Sequence, residues 1–295
     1  MASLKEIRAR IGSVNSTLKI TSAMKMVAAA KLHKAEERTL NTVPYKNKLT
    51  DVLGRYLGSI DDENFKVSLS VEREVKRVAL IPITSSSGLC GAFNSNIIKL
   101  LKKSIAEHLE AGHKILIIPV GKKVSDALKY TFKPKNENIE IDSSYVHICE
   151  KPDYNQASDV AKALTDSFTS GKVDRVELLY NHFKNSGVQI PTCDQFLPLP
   201  TIEAKSGSNR LYFVEPDAKA FVENLVPIVV KLIFYATLLD SSTAEFGART
   251  TAMQIASDNA QNLLSEITQQ YNRARQESIT TDLIDIVSGS EAVRN

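Results

Sequence analysis

The sequence predicts an α/β fold with long helices attached. An antiparallel two-helix coiled coil of the N- and C-terminal segments flanks a central Rossmann-like α/β domain. Three observations predict this: a long heptad pattern at the C-terminal end, a matching pattern at the N-terminal end, and alternating apolar runs and helical patterns between them. The domain boundaries expected are 1–57 for the first helix, 75–200 for the α/β domain and 210–288 for the last helix.

The N-terminal segment places Leu4, Ile7, Ile11, Val14 and Leu18 at alternating steps of three and four. That spacing puts one apolar stripe along a helix. The stripe is then expected to drift to Ile20, Met24, Val27 and Leu32. Pro44 lies inside this pattern and is expected to kink or end the helix, because it removes a backbone hydrogen bond.

The middle segment begins with the apolar run Val78–Ile83, which reads as a buried strand and ends in a Ser/Gly-rich turn. A helical pattern follows from Ser95 to Glu110, stopped by Ala111-Gly112. Lys114–Val120 reads as a second strand, Lys122–Tyr130 as a helix and Ile139–Cys149 as a strand. Ala157–Thr169 reads as a helix closed by Gly171. Arg175–Asn181 and Val188–Leu197 read as final strands, close enough in sequence for an antiparallel edge. Strands alternating with helices argue a partly parallel sheet.

The C-terminal segment carries the longest pattern. From Phe221 to Ala274, Leu225, Leu232, Leu239, Phe246, Met253, Ala260 and Ile267 alternate with Ile228, Tyr235, Ser242, Arg249, Ala256, Leu263 and Gln270. Glu215-Pro216-Asp217 marks the helix start, Pro227 a bend, and Ser288-Gly289 the expected stop. At about 1.5 Å per residue, a helix from Pro216 to Val287 spans on the order of 100 Å. A helix of that length needs a partner outside its own domain. The other end of the same chain, paired antiparallel, supplies one. A parallel dimer between two chains is the alternative.

Charge supports pairing of the ends. Residues 1–57 hold eleven Lys or Arg against four Asp or Glu, a net of +7; residues 216–295 hold six against ten, a net of −4. The whole chain is near balance at +3. The basic helix reads either as a solvated face plus this pairing or as a surface for acidic partner loops. It lacks the interleaved aromatics of a nucleic-acid surface, so no nucleic-acid partner is expected.

Other classes find little support. The longest apolar stretch, Leu225–Leu239, is broken by Pro227 and Lys231, so no membrane span is expected. The leader MASLKEIRAR has neither a secretory nor a transit pattern, which suggests work in the compartment of synthesis and a bacterial origin. Cys90, Cys149 and Cys193 form no CxxC and read as reduced core thiols. No cofactor and no metal is expected. The segment Ser85–Asn94, between a strand and a helix, has the position of a phosphate loop. It lacks the lysine of GxxxxGK[ST] and a full GxGxxG, so it reads as a tight turn requiring small residues rather than as a phosphate loop. No catalytic constellation stands out.

Several stretches resemble the gamma-subunit family of F-type ATP synthases. Lys5–Lys31 (KEIRARIGSVNSTLKITSAMKMVAAAK) is similar to that family's N-terminal helix. Gly88-Leu89-Cys90-Gly91 resembles its globular-domain signature. Thr251–Met253 with Asp258–Ala260, and Tyr271–Thr280, resemble its C-terminal helix. The departures are small: Asp282 where the family usually has Glu, Ser290 where it has Ala, and Ser87 where an acid is frequent. The cysteine-bearing insertion of chloroplast members is absent.

The resemblance implies a central rotor shaft, a non-catalytic part of a proton-translocating (or sodium-translocating) complex. Its implied partners are three alpha and three beta subunits, the epsilon subunit and the c-ring. Its implied place is peripheral, on the cytoplasmic face of the bacterial inner membrane. Arg275 and Gln276 match a polar catch onto acidic loops of the beta subunit. Met24 with Lys25 matches a coupling position, although seam packing serves Met24 as well. Tyr212 and Glu215 match a foot on the c-ring and epsilon, although Glu215 also suits a helix start. The competing reading is a coiled-coil scaffold that holds two partners apart.

Overall fold

Strand β1 (Arg77–Pro82) is buried on both faces from Val78 onward. That is why it reads as an unbroken apolar run: a central parallel strand must be apolar on both sides. It pairs in parallel with β2 (Lys114–Ile117) and β4 (Arg175–Asn185). Strand β3 (Ile139–Ile141) pairs in parallel with β2, and β5 (Val188–Leu197) pairs antiparallel with β4. The sheet order is β3-β2-β1-β4-β5, so the antiparallel edge expected from sequence is present. The helices are α1 (Leu4–Leu57), α2 (Phe93–Glu110), α3 (Lys122–Thr131), α4 (Tyr154–Thr169) and α5 (Ala218–Arg294).

This computed structural model describes residues 3–57, 69–131, 138–199 and 218–294. The chain divides into a unit of residues 29–249, which holds the sheet, and a unit of residues 1–28 with 250–295.

In the sheet unit, successive residues of β1 point to opposite faces. Val78 and Leu80 join Leu101, Ile105, Val124 and Leu128 of α2 and α3. Ala79 and Ile81 join Val160, Leu164 and Phe168 of α4, Leu53 of α1, and Val229, Val230 and Phe234 of α5. Helix ends follow the glycines. Gly112 (φ +78°) closes α2, with His113 N–H donating to the His108 carbonyl. Gly171 (φ +71°) closes α4 with the equivalent bond from Lys172 to Ser167. Both are Schellman ends, in which a left-handed residue lets orphan carbonyls be satisfied. Gly121 is required for a different reason. Its φ is +106°, and a Cβ there would stand 2.2 Å from the Thr84 carbonyl oxygen.

Several elements differ from the sequence reading. The strand expected over Ile139–Cys149 is only Ile139–Ile141, followed by a 3₁₀ turn at Ile148–Glu150. Among the described residues this strand pairs with β2 alone, so no described strand on its outer side extends it. Pro44 and Pro227 end neither helix. Both are exposed, and apolar packing beyond each of them (Leu53 after one, Val229 and Phe234 after the other) offsets the roughly 3 kcal/mol that an internal proline costs. Helix α5 also continues through Ser288-Gly289 to Arg294; a helical glycine costs only about 1 kcal/mol relative to Ala. Contrary to expectation, the helical segment Phe221–Ser290 does contain an 18-residue window apolar enough to cross a bilayer, and half of that window is buried inside the protein. A core helix has the same composition.

The pairing of the chain ends is antiparallel. Ser257 Oγ donates to Thr21 Oγ1 at 2.9 Å, and Lys25 Nζ donates to Gln254 Oε1 at 2.9 Å. Moving up one helix is moving down the other. The sheet unit repeats the sense, with Thr39 and Thr243 hydroxyls 3.1 Å apart and Lys31 Nζ 5.7 Å from the Phe246 ring centroid.

The seam itself departs from the expected register. On α1 the covered positions run Leu4, Ile7, Ile11, Val14, Leu18, Thr21, Lys25, Ala28, Leu32, Ala35 and Thr39. This is an unbroken three-four alternation with no drift; Ile20 and Val27 are 60% and 57% exposed. On α5, Met253, Ala260, Ile267 and Ala274 face inward as expected, but their companions are Ser257, Leu264 and Tyr271. The expected companions sit one residue earlier: Ala256 is only half-covered, and Leu263 and Gln270 are exposed.

Candidate functional site

Helix α5 carries Arg275 and Gln276 side by side in the unit formed by the chain ends, both exposed. Neither side chain has a hydrogen bond or ion pair among the described residues. Their neighbours Arg273 and Glu277 do pair, at 3.0 Å, one turn apart and in solvent. An exposed pair of that kind contributes well under about 1 kcal/mol. Arg275 thus keeps its donors free for an acceptor outside the chain.

Lys25 has a different setting. It is half-buried in the seam, and its ammonium is held by Gln254, whose amide donates to both oxygens of Asp258 at 2.8 and 3.0 Å. This bond ties the ammonium to the opposite helix at an exposed edge of the seam. Met24 beside it is half-buried, and Met26 is exposed. Tyr212 and Glu215 lie outside the described residues. The sequence-predicted positions Met24, Lys25, Arg275 and Gln276 all belong to the unit of the chain ends.

One surface in that unit was not read from the sequence. Ser278 is half-covered, and from Ile279 through Ser290 every described side chain of α5 is exposed, among them Leu283, Ile284, Ile286 and Val287. Ile286 is 67% exposed. The signal was present as LIDIV after the last assigned seam position, apolar residues too close together for one stripe. Exposed apolar area of this kind marks an interaction surface.

The phosphate-loop candidate resolves as a closed turn. Ser85 N–H donates to Asn94 Oδ1 at 3.0 Å, and Ser85 Oγ donates to the Ser87 carbonyl at 2.6 Å. Asn94 Nδ2 reaches Ser85 Oγ and Cys90 Sγ. Arg249 of α5 donates to Ser87 Oγ at 2.9 Å and to the Gly88 carbonyl. The side chains of Ser85, Ser87 and Asn94 and the carbonyls of Ser87 and Gly88 are thus engaged within the protein.

The thiols are poorly reactive. Burial pushes Cys90 up, and burial pushes Cys149 up to about 11, so both are protonated at neutral pH. The expectation of three core thiols fails at Cys193, an exposed residue of the edge strand β5. Its sulfur is nonetheless part-buried against Glu177, to which it donates at 3.4 Å. Glu177 sits between His108 Nε2 at 3.2 Å and Arg175 Nε at 3.0 Å. Burial alone would raise its carboxyl. The hydrogen bond and charge of His108, with Arg175, outweigh burial and hold it below the usual value.

Comparisons with known proteins bear on these features. A family model described as ATP synthase matches residues 3–293. An ATP synthase gamma chain of Bacteroides fragilis is 45% identical over 299 residues, spanning 99% of this chain and 100% of the relative. The ATP synthase gamma chain of Flavobacterium johnsoniae is 42% identical, spanning 99% of each. Among solved structures, a chain of the central stalk and c-ring of Tetrahymena thermophila mitochondrial ATP synthase aligns with a TM-score of 0.55 at 25% identity, over 81% of this chain and 99% of that one. A chain of Euglena gracilis mitochondrial ATP synthase aligns with a TM-score of 0.67 over 98% of this chain and 94% of that one; at 19% identity it speaks to the fold.

Proposed function

The chain belongs to the ATP synthase gamma-chain family, and we propose on that basis that its paired ends serve as the central rotor shaft of the complex. Torque from an ion-driven c-ring passes along the shaft to a ring of alpha and beta subunits, so that rotation is coupled to ATP synthesis or hydrolysis. The observation that carries the reading is the unit of the chain ends. Its two helices are tied to each other by seam hydrogen bonds, while one of them ends in an apolar surface that none of the described residues covers. A shaft needs a fixed interior and an exterior that contacts its bearing without locking to it. The scaffold reading has no observation in its favour.

The finer assignments belong to the same proposal. Three alpha and three beta subunits surround the shaft, and epsilon and the c-ring hold its foot through Tyr212 and Glu215. The complex lies at the cytoplasmic face of the bacterial inner membrane, and this subunit performs no chemistry of its own. The segments 1–57 and 210–288 form the shaft and 75–200 the globular part. Arg275 and Gln276 are the catch on acidic loops of the beta subunit. Met24 and Lys25 add a second contact. Coupling of this kind requires contacts that differ between rotational states.

Replacing Arg275 and Gln276 together with Ala tests the catch. ATP hydrolysis by the assembled complex, or its coupling to proton pumping, is expected to fall, with thermal unfolding of the isolated chain unmoved. Unchanged hydrolysis and pumping in the assembled double variant remove the assignment.

A further inference from the structure

In a sheet of order β3-β2-β1-β4-β5, the crossovers on either side of the β1–β4 junction run in opposite directions. The crevice at the carboxyl ends of β1 and β4 is where open α/β sheets hold their ligands. Here a stretch of the chain's own helix α5, Asp240–Arg249, is fastened to the elements that leave those strand ends. At the end of β4, Asp240 accepts the Phe183 N–H at 3.1 Å and the His182 Nδ1–H at 2.6 Å. A Cβ on Gly247 would lie 2.9 Å from Phe183 Cε2 and 3.3 Å from Ser186 Cα, so the β4–β5 hairpin rests directly on the helix. Phe183 packs against Cys90, Phe93, Ala244 and Ala248. At the end of β1, Arg249 holds Ser87 and Gly88 of the connecting loop, and Glu245 one turn back holds Arg249 at 2.7 Å.

The attachments differ in direction around the helix. At about 100° per residue, Gly247 lies within about 20° of Asp240, whereas Arg249 lies about 180° away. Apolar packing alone lets a helix turn against its neighbour. Charged hydrogen bonds on opposite sides, to two different elements, oppose turning in either sense. Charge-assisted bonds are also the stronger kind.

We propose that Asp240, Gly247 and Arg249 are positioning residues of a torsional joint, through which twist passes between the sheet and helix α5. The proposal rests on the rotor-shaft reading. It also gives the crevice a use: what serves related sheets as a ligand site serves here as a socket for the protein's own helix.

The test uses the assembled complex with its catalytic ring immobilised and a bead on a thiol introduced by Glu110→Cys, an exposed position at the end of α2, other accessible thiols having been replaced. The readout is the width of the bead's angular distribution during the pauses between steps. In the double variant Asp240→Asn, Arg249→Ala, loss of the charge-assisted bonds on both sides is expected to widen that distribution, with hydrolysis without load unchanged. Arg249→Lys keeps one charged donor and is expected to lie between. A purely structural role would lower the unfolding temperature and leave the width alone. An unchanged width in a rotating double variant overturns the joint. If the double variant does not assemble, Asp240→Asn and Arg249→Lys singly decide on the same readout. If the unmodified complex hydrolyses ATP and the bead does not turn, the rotor reading fails first, and the two failures are distinct.

Discussion

The two compact units handle apolar surface in opposite ways. In residues 29–249 most large apolar side chains are gathered into clusters on both faces of the sheet, and Phe168, Phe234, Leu80 and Ile81 are fully covered, with Leu40, Leu89 and Tyr130 exposed as scattered single residues. In the unit of the chain ends, Ile20, Val27, Leu283, Ile284 and Ile286 stand open, and cross-helix polar contacts such as Thr21–Ser257 and Lys25–Gln254 lie within the seam. One unit carries its stability inside. The other leaves apolar side chains on its outer surface, where the proposed rotor role would have partners cover them.

That contrast can be broken most severely in the sheet unit. Phe168 is fully buried, with the Arg73 guanidinium 5.0 Å from its ring centroid. Phe168→Ala is expected to cost about 3–5 kcal/mol, read as the urea midpoint of the isolated chain. A loss within the range of surface substitutions would mean that this core is not the seat of stability.

Glu177 sharpens the comparison through pH. Its folded pKa is depressed, so its contribution is present above the unfolded value near 4.5 and is lost as pH falls through the folded value. The sheet unit should therefore lose stability on acidification below about pH 4.5. Glu177→Gln should lower stability at neutral pH by about 1–3 kcal/mol, by leaving part-buried donors without their charged acceptor, and should flatten the acid limb. An acid limb of unchanged steepness in the variant would assign it to other carboxylates.

The smallest effect on stability is expected at the open tip. Leu283→Ser with Ile286→Ser should cost the isolated chain no more than about 1 kcal/mol, read from urea unfolding, as for two surface positions, while weakening assembly with, or rotation in, the catalytic ring. A large loss of stability would show that the tip is covered in the free chain.

Legibility in the sequence followed the same division. Strands β1 and β4 and the glycine ends of α2 and α4 could be read because central strands carry long apolar runs and because Gly112 and Gly171 suit a left-handed backbone; the edge strand β5 could be read from its short connection to β4. The seam of α1 could be read as far as Leu18 and again at the buried Leu32. Between them, Thr21 and Lys25 occupy the inward positions, and their polarity disguised the register; the apolar Ile20 and Val27 beside them face outward. On α5 the inward companions Leu264 and Tyr271 stand next to Leu263 and Gln270, and a shift of one residue was enough to misplace the stripe. Arg275 and Gln276, proposed as the catch, stand as an exposed pair, and the sequence marks them only through the family resemblance. The socket at Arg249 was hidden, because its partners Ser87 and Gly88 lie some 160 positions away in the chain.

The central claim is that the two ends of a single chain lie antiparallel and turn together. Replacing Thr21 and Ser257, whose hydroxyls are 2.9 Å apart, with Cys tests it most directly. Under oxidation the account predicts a disulfide closed within one monomer, in a complex that still hydrolyses ATP and rotates. A covalent dimer, or an internal disulfide that stops rotation, would contradict it.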